Sequence, residues 1–348
     1  MARSRVPRGA CFFASLLLAL VIAGQAVAAS MEEDGCRHER KPAILVVYCT
    51  KLIESGQLAG AKLAWAYVNR GWAYRLQEKD DLAMADFDTA LGLDPKDADA
   101  LYERGNVYLH RKDYGKAIAD YDAAIKLRPD AAGLWDNRGM AYHESGQYER
   151  AIKDYDEAIR LNPKDYRALN NRGQARRNMG KYDLAIQDYD AALGLKPDYI
   201  IALINRAYAY LKSGQYEQAL ADYNSLVQKN PDDAEALNNR CWTFVVMHRA
   251  REGLGDCDRS LSLQPKAYTF DSRGFAHLQL GDFAAAIADF DKAVELDPHK
   301  ASSLFGRGKV EELQGDKLAA ARDYAAARAI QSDIEADLVR KHVLEAQQ

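Results

Sequence analysis

Residues 132–165 read AGLWDNRGMAYHESGQYERAIKDYDEAIRLNPKD, and residues 166–199 run in register with them as YRALNNRGQARRNMGKYDLAIQDYDAALGLKPDY. Within the first stretch Arg138, Ala141 and Tyr142 fall at three- and four-residue intervals, and Ala151, Tyr155 and Ala158 do so again, which is the spacing of two short helices. Ser145-Gly146-Gln147 separates them, with Gly146 suited to the left-handed conformation that ends a helix. Pro163 stops the second helix, because it lacks an N–H and clashes with the turn behind it. Gly139, Ala151 and Ala158 permit close helix approach, while Tyr142 and Tyr155 fill the space between. One such hairpin cannot bury its faces alone, so its neighbours must stack on it.

The pattern extends outward on both sides of these two stretches. Its arginine recurs as Arg70, Arg104, Arg138, Arg172, Arg206, Arg240, Arg273 and Arg307. An acidic-aromatic anchor, as in Asp86-Phe87-Asp88, Asp120-Tyr121-Asp122, Asp154-Tyr155-Asp156 and Asp289-Phe290-Asp291, follows all but the sixth, where Cys257 replaces the aromatic. Seven of the nine prolines of the 348-residue chain mark the unit ends, from Pro95 to Pro298. A length prior of roughly 150 residues per domain therefore gives way to one repeated unit.

The order Trp135, Gly139, Tyr142, Ala151, Tyr155, Ala158 and Pro163 resembles the tetratricopeptide repeat (TPR), a helix-turn-helix unit of about 34 residues. The resemblance covers residues 64–332 and implies an all-α fold: a right-handed α-solenoid of eight TPR units at 64–97, 98–131, 132–165, 166–199, 200–233, 234–266, 267–300 and 301–332. Residues 29–63 read as a leader with a half-repeat helix, and residues 333–348 as a capping helix through Ile334, Leu338, Val343 and Leu344. One departure is uniform: arginine stands where the family has leucine before the small residue, and an aspartate precedes each second-helix aromatic position. Eight arginines and eight aspartates suggest a ladder of ion pairs, which if exposed contribute only about 0–1 kcal/mol each and chiefly fix register.

The resemblance also implies where a ligand sits. First helices line the concave face, and the asparagine before the repeat arginine can hold the backbone of an extended peptide, since an amide both donates and accepts. The matching positions are Asn69, Asn137, Asn171, Asn205 and Asn239, with Glu103, Ser272 and Gly306 breaking the series. Local capping or packing is the competing role for these amides. Met140, His143, Arg167, Asn170, Gln174 and Arg177 would line the central groove, a polar and mildly basic set. The lysine and arginine with which chaperone adaptors of the family grip a terminal carboxylate are not reproduced.

Residues 1–28 have the layout of a secretory signal peptide: Arg3, Arg5 and Arg8, an apolar run from Cys11 to Ala23, and Ala26-Val27-Ala28 at the cleavage position. Cleavage would take the net charge from −4 to −7 by removing those three arginines. An acidic exported chain lacks the basic stripe that binding to nucleic acid requires, which also disfavours an RNA-reading helical repeat. No later stretch is long and apolar enough to span a bilayer, so no stable membrane insertion is expected after cleavage. Cys36, Cys49, Cys241 and Cys257 remain, an even number that in an exported chain favours disulfides, and four cysteines allow three pairings. In the family the positions of Cys241 and Cys257 face each other across the hairpin, which makes that pair plausible, while Cys36 could tie the leader onto the helix carrying Cys49.

No Gly-rich phosphate loop, Gly-x-Ser-x-Gly or His-Glu-x-x-His occurs, so no enzyme, metal or cofactor is expected. The sequence thus predicts a periplasmic or secreted interaction scaffold that binds an extended peptide segment of a protein partner. The alternative is a structural assembly factor that self-associates or bridges envelope proteins through its ends or convex face.

Overall fold

The computed structural model describes residues 30–343, so the signal segment and the last part of the capping segment lie outside it. Among the described residues every regular element is helical. The chain divides into two compact units, and the division falls just inside one helix, after Ala168.

The first unit opens with α1 (30–38) and α2 (Pro42–Glu54). Three hairpins follow: α3 (Ala61–Arg75) with α4 (Asp80–Leu93), α5 (Ala98–His110) with α6 (Tyr114–Leu127), and α7 (Ala132–Glu144) with α8 (Tyr148–Leu161). The second unit takes most of α9 (Tyr166–Asn178), its partner α10 (Tyr182–Leu195), and four more hairpins. These are α11 (Ile200–Lys212) with α12 (Tyr216–Lys229), α13 (Ala234–Val246) with α14 (Ala250–Leu263), α15 (Ala267–Leu280) with α16 (Phe283–Leu296), and α17 (Ala301–Gln314) with α18 (Lys317–Ile330). A seven-residue helix, α19 (Ile334–Arg340), follows them and buries Ile334 and Leu338. Each unit is a stack of TPR-type hairpins.

Every hairpin but the sixth closes on one contact between a small residue and an aromatic ring. A Cβ added at Gly139 would lie 2.7 Å from Tyr155, and one at Gly105 2.8 Å from Tyr121. The rings themselves are fully enclosed: Tyr121, Tyr155, Tyr189 and Phe290 rank among the most buried side chains. Burial of such a ring contributes about 1.5–3 kcal/mol, and the absent Cβ is what admits it. After each proline the chain restarts quickly. Asp97, for example, accepts hydrogen bonds from the Asp99 and Ala100 amides, and Asp233 caps α13 in the same way.

The turn between the two helices needs a left-handed residue. Gly146, Gly180, Gly214, Gly281 and Gly315 supply it, but Glu78, Lys112 and His248 hold the same position with φ of 59°, 60° and 55°. The sixth hairpin, which lacks the turn glycine, therefore keeps the turn geometry, as do the first two.

The arginine ladder differs from the exposed pairing expected of the sequence. Arg138 donates from Nε and Nη2 to the two oxygens of Asp154, both at 2.7 Å, and the Asp154 side chain is only 7% exposed. Arg70 with Asp86, Arg104 with Asp120, Arg206 with Asp222 and Arg273 with Asp289 repeat this fork. The carboxylates are buried because each sits one residue before the enclosed ring, inside the hairpin. The third guanidinium nitrogen reaches back to the preceding repeat: Arg104 to Asp88, Arg138 to Asp122, Arg206 to Asp190 and Arg307 to Asp291, at 2.6–2.8 Å. One arginine thus closes its own hairpin and staples it to its neighbour. That accounts for both aspartates of the anchors at Asp86-Phe87-Asp88, Asp120-Tyr121-Asp122, Asp188-Tyr189-Asp190 and Asp289-Phe290-Asp291.

The cysteine pairing left open by the sequence is Cys36–Cys49 and Cys241–Cys257. Cys241 stands at the small position and Cys257 at the aromatic position of the sixth hairpin, so a covalent bond replaces the contact that closes the others.

Candidate functional site

First helices meet around a cavity of about 330 Å³ in the second unit. Its wall draws on α11, α13, α15 and α17 through Tyr208, Asn239, Trp242, Tyr268 and Ser302, and Leu338 and Lys341 close one side. Beyond Arg340, His342 lies edge-on to Tyr216 with ring centroids 5.7 Å apart. In the first unit a smaller hollow of about 260 Å³ lies where Arg37 and Arg40 of the leader meet Asn69, Trp72 and Glu103.

The ladder positions occupy several different environments. Asn69 donates from Nδ2 to the main-chain carbonyl of Cys36 at 2.9 Å, and the neighbouring Arg37 guanidinium lies 4.0 Å from the Trp65 ring centre. Asn137 donates to the Tyr102 hydroxyl at 2.9 Å and to Asn106 Oδ1 at 2.8 Å, so its amide joins α7 to α5. Asn205 is buried. It donates to Asn170 Oδ1 at 3.0 Å and accepts from Arg177 Nη1 at 2.9 Å. Asn171 is half-buried and accepts from Asn170 at 3.4 Å, while Asn239 accepts from Asn238 at 3.4 Å and lines the cavity shared by Tyr208 and Trp242.

The breaks in the series have local causes. Glu103 pairs with Arg75 at 2.9 Å across α3 and α5, and burial pushes its carboxyl up despite that partner. Ser272 turns its hydroxyl back to the Tyr268 carbonyl at 2.9 Å. Gly306 makes room for the Phe290 ring, which a Cβ would meet at 2.4 Å.

Of the six groove residues, Asn170 and Arg177 come together around Asn205, and Gln174 lies half-buried on the same helix. Arg167 is exposed and Met140 half-buried in the first unit. His143 faces the start of α8, its ring 5.3 Å from Tyr148.

Sequence reasoning missed a polar cluster that lines the cavity of about 330 Å³. Asp271 accepts from Ser303 at 2.6 Å and from Ser302 at 2.9 Å, with Lys300 at 3.8 Å. Burial pushes its carboxyl above the ordinary range, opposed by Lys300 and the two hydroxyls. The signal lay in the run Phe270-Asp271-Ser272-Arg273, where the usual asparagine is replaced and a carboxylate stands beside the replacement. Among the described residues no group of side chains is arranged to hold a metal ion, and no helix is long and apolar enough to cross a membrane.

A tetratricopeptide repeat model matches residues 68–132, 137–200 and 273–334, more than half the chain, and two further tetratricopeptide repeat models match 106–165 and 176–238. Among curated proteins none matches the sequence. Of solved structures, a tetratricopeptide repeat protein from Parabacteroides merdae is 19% identical with a TM-score of 0.54, over 76% of this chain and 98% of its own. PilF of Pseudomonas aeruginosa is 22% identical with a TM-score of 0.52, over 64% of this chain and 96% of its own. At these identities the likeness is one of fold. With more than half of its length matched by that one model, the chain belongs to the tetratricopeptide repeat family, whose stacked hairpins serve as protein-interaction scaffolds.

Proposed function

We propose that this chain is an exported, non-enzymatic scaffold that holds an extended peptide segment of an envelope or secreted protein against its first helices. The observation that carries this reading is the Asn69 amide, which donates to the Cys36 main-chain carbonyl at 2.9 Å. A ladder asparagine there grips the backbone of a separate segment, α1, by the contact proposed for a bound peptide. Asn171 and Asn239, half-buried on first helices, would do the same for a partner by giving up contacts they make within the protein. Asn205 acts indirectly, since both ends of its amide align neighbouring repeats. Two disulfides support an oxidising compartment, in keeping with periplasmic or secreted placement.

A second reading, assembly through the ends or convex face, draws on Leu313 and Leu318, which are 53% and 77% exposed in the last hairpin. Asn171→Ala with Asn239→Ala should weaken peptide capture in a chain that circular dichroism shows to be folded. Leu313→Ser with Leu318→Ser should leave capture unchanged. If the leucine pair abolishes binding and the asparagine pair does not, the second reading replaces the first.

A further inference from the structure

The α13–α15 pair of first helices departs from the α9–α11 pair at the positions of Asn205 and Arg177, where it has Ser272 and Val245, and the difference leaves a buried group unmet. Between α9 and α11, the Asn205 carboxamide donates to Asn170 Oδ1 at 3.0 Å while its own oxygen accepts from Arg177 at 2.9 Å. An amide is thus held between an amide acceptor and a cation. Two repeats later, between α13 and α15, Asn238 takes the place of Asn170, but Ser272 stands where Asn205 would be. The serine hydroxyl is spent on the Tyr268 carbonyl, at 2.9 Å. Asn238 is only 6% exposed, and its Oδ1 has no hydrogen-bond partner among the described residues. Buried amide oxygens are rarely left so, because losing water without a replacement is costly.

Asn238 lines the cavity of about 330 Å³, whose wall includes Trp242 and Tyr268. The cavity carries both signs of charge: Asp271 and Glu235 against Lys212, Lys300 and Lys341. A lone cation or anion would meet like charge on one side. A neutral aliphatic group would leave Asn238 Oδ1 unmet. A group that donates and accepts at once fits both. The Lys300 ammonium supplies the cation, since it sits 3.8 Å from Asp271, beyond hydrogen-bond length, with donors to spare.

We infer that this cavity binds a primary carboxamide, the side chain of a glutamine or asparagine in a bound peptide. Its NH2 donates to Asn238 Oδ1 and its oxygen accepts from Lys300, reproducing the Asn170–Asn205–Arg177 arrangement with the ligand in the role of Asn205. The groove then has a preference for side chain as well as for backbone. The inference rests on the peptide-binding reading only in naming a peptide as the carrier of the amide.

The test titrates the full chain with N-acetyl-glutamine-N-methylamide and its norleucine, glutamate and lysine counterparts, followed by the Trp242 indole N–H resonance. The glutamine probe should saturate at a concentration at least about tenfold below the others. Ser272→Asn, which returns the missing amide from within the protein, should weaken that binding about tenfold or more without lowering the unfolding midpoint. Lys300→Met, at a partly exposed side chain, should weaken it as well. Equal response to norleucine, preference for a charged probe, unchanged binding by both variants, or no saturation by glutamine would overturn the assignment. A single-residue probe is too short to lie along the ladder, so its failure leaves the extended-peptide reading intact, and weakened capture in the asparagine variants can fail independently.

Discussion

Removal of Asp154 separates the two arms of the arginine staple. Arg138 forks onto Asp154 inside its own hairpin, where the two side chains are 15% and 7% exposed, and reaches Asp122 of the preceding repeat, which is 41% exposed. Asp154→Ala leaves a largely buried guanidinium without its bidentate partner and should cost about 3–5 kcal/mol. Asp122→Ala breaks a pair with one solvated partner and should cost about 0.2–1 kcal/mol. Burial pushes the Asp154 carboxyl above its ordinary range even with Arg138 against it, whereas Asp154 and Asp122 hold the Arg138 guanidinium firmly protonated, and a buried pair of this kind is often matched in stability by apolar side chains of similar volume. Replacing both partners, Arg138→Leu with Asp154→Leu, should therefore recover most of what Asp154→Ala loses. Urea unfolding followed by circular dichroism measures the total, and hydrogen exchange of the α7 and α8 amides localises the effect, which matters because repeat arrays need not unfold in two states. If Asp154→Ala costs no more than Asp122→Ala, or if the leucine pair is as destabilised as the single variant, the buried-fork account is refuted.

Two other substitutions test how the hairpins are closed. Cys257→Ser should lose about 3 kcal/mol by opening a short loop, whereas Cys241→Gly with Cys257→Tyr should retain most of the stability and be indifferent to reductant, because it restores the contact used elsewhere; loss of the fold in the double variant would contradict this. Lys112→Gly, at a φ of 60°, should raise stability by about 1 kcal/mol, since a Cβ is strained there and glycine is not. A lower denaturation midpoint would show that the lysine side chain contributes more than its backbone costs.

The repeat was legible because one short period fixes helix, turn and stop together, and the same small residue, ring and proline recur at each copy. What the period could not show was depth. Arg138 and Asp154 were readable as a pair, but whether the pair faces water depends on the ring next to it, and Tyr155 draws Asp154 inside. The role of the second aspartate was hidden for a related reason: Asp122 belongs to one unit and its arginine to the next, so a within-unit reading does not join them. The asparagines carried the same ambiguity. Asn69 and Asn205 occupy equivalent positions, yet one holds a main-chain carbonyl of the leader and the other a neighbouring amide. Asn238 and Asp271 escaped notice because the position two residues before the arginine varies from unit to unit, and its chemistry emerges only beside Ser272 and Lys300.

The central claim is that first helices take the backbone of an extended peptide, and a peptide selected against the chain tests it most directly. Peptides enriched from a random displayed library on the oxidised chain would be isotope-labelled and their contacts mapped by intermolecular nuclear Overhauser effects. The account predicts contacts from the peptide backbone to the side chains of Asn171 and Asn239, with loss of binding in the double alanine variant. Contacts confined to the last hairpin around Leu313 and Leu318, or binding undiminished by the double variant, would contradict it.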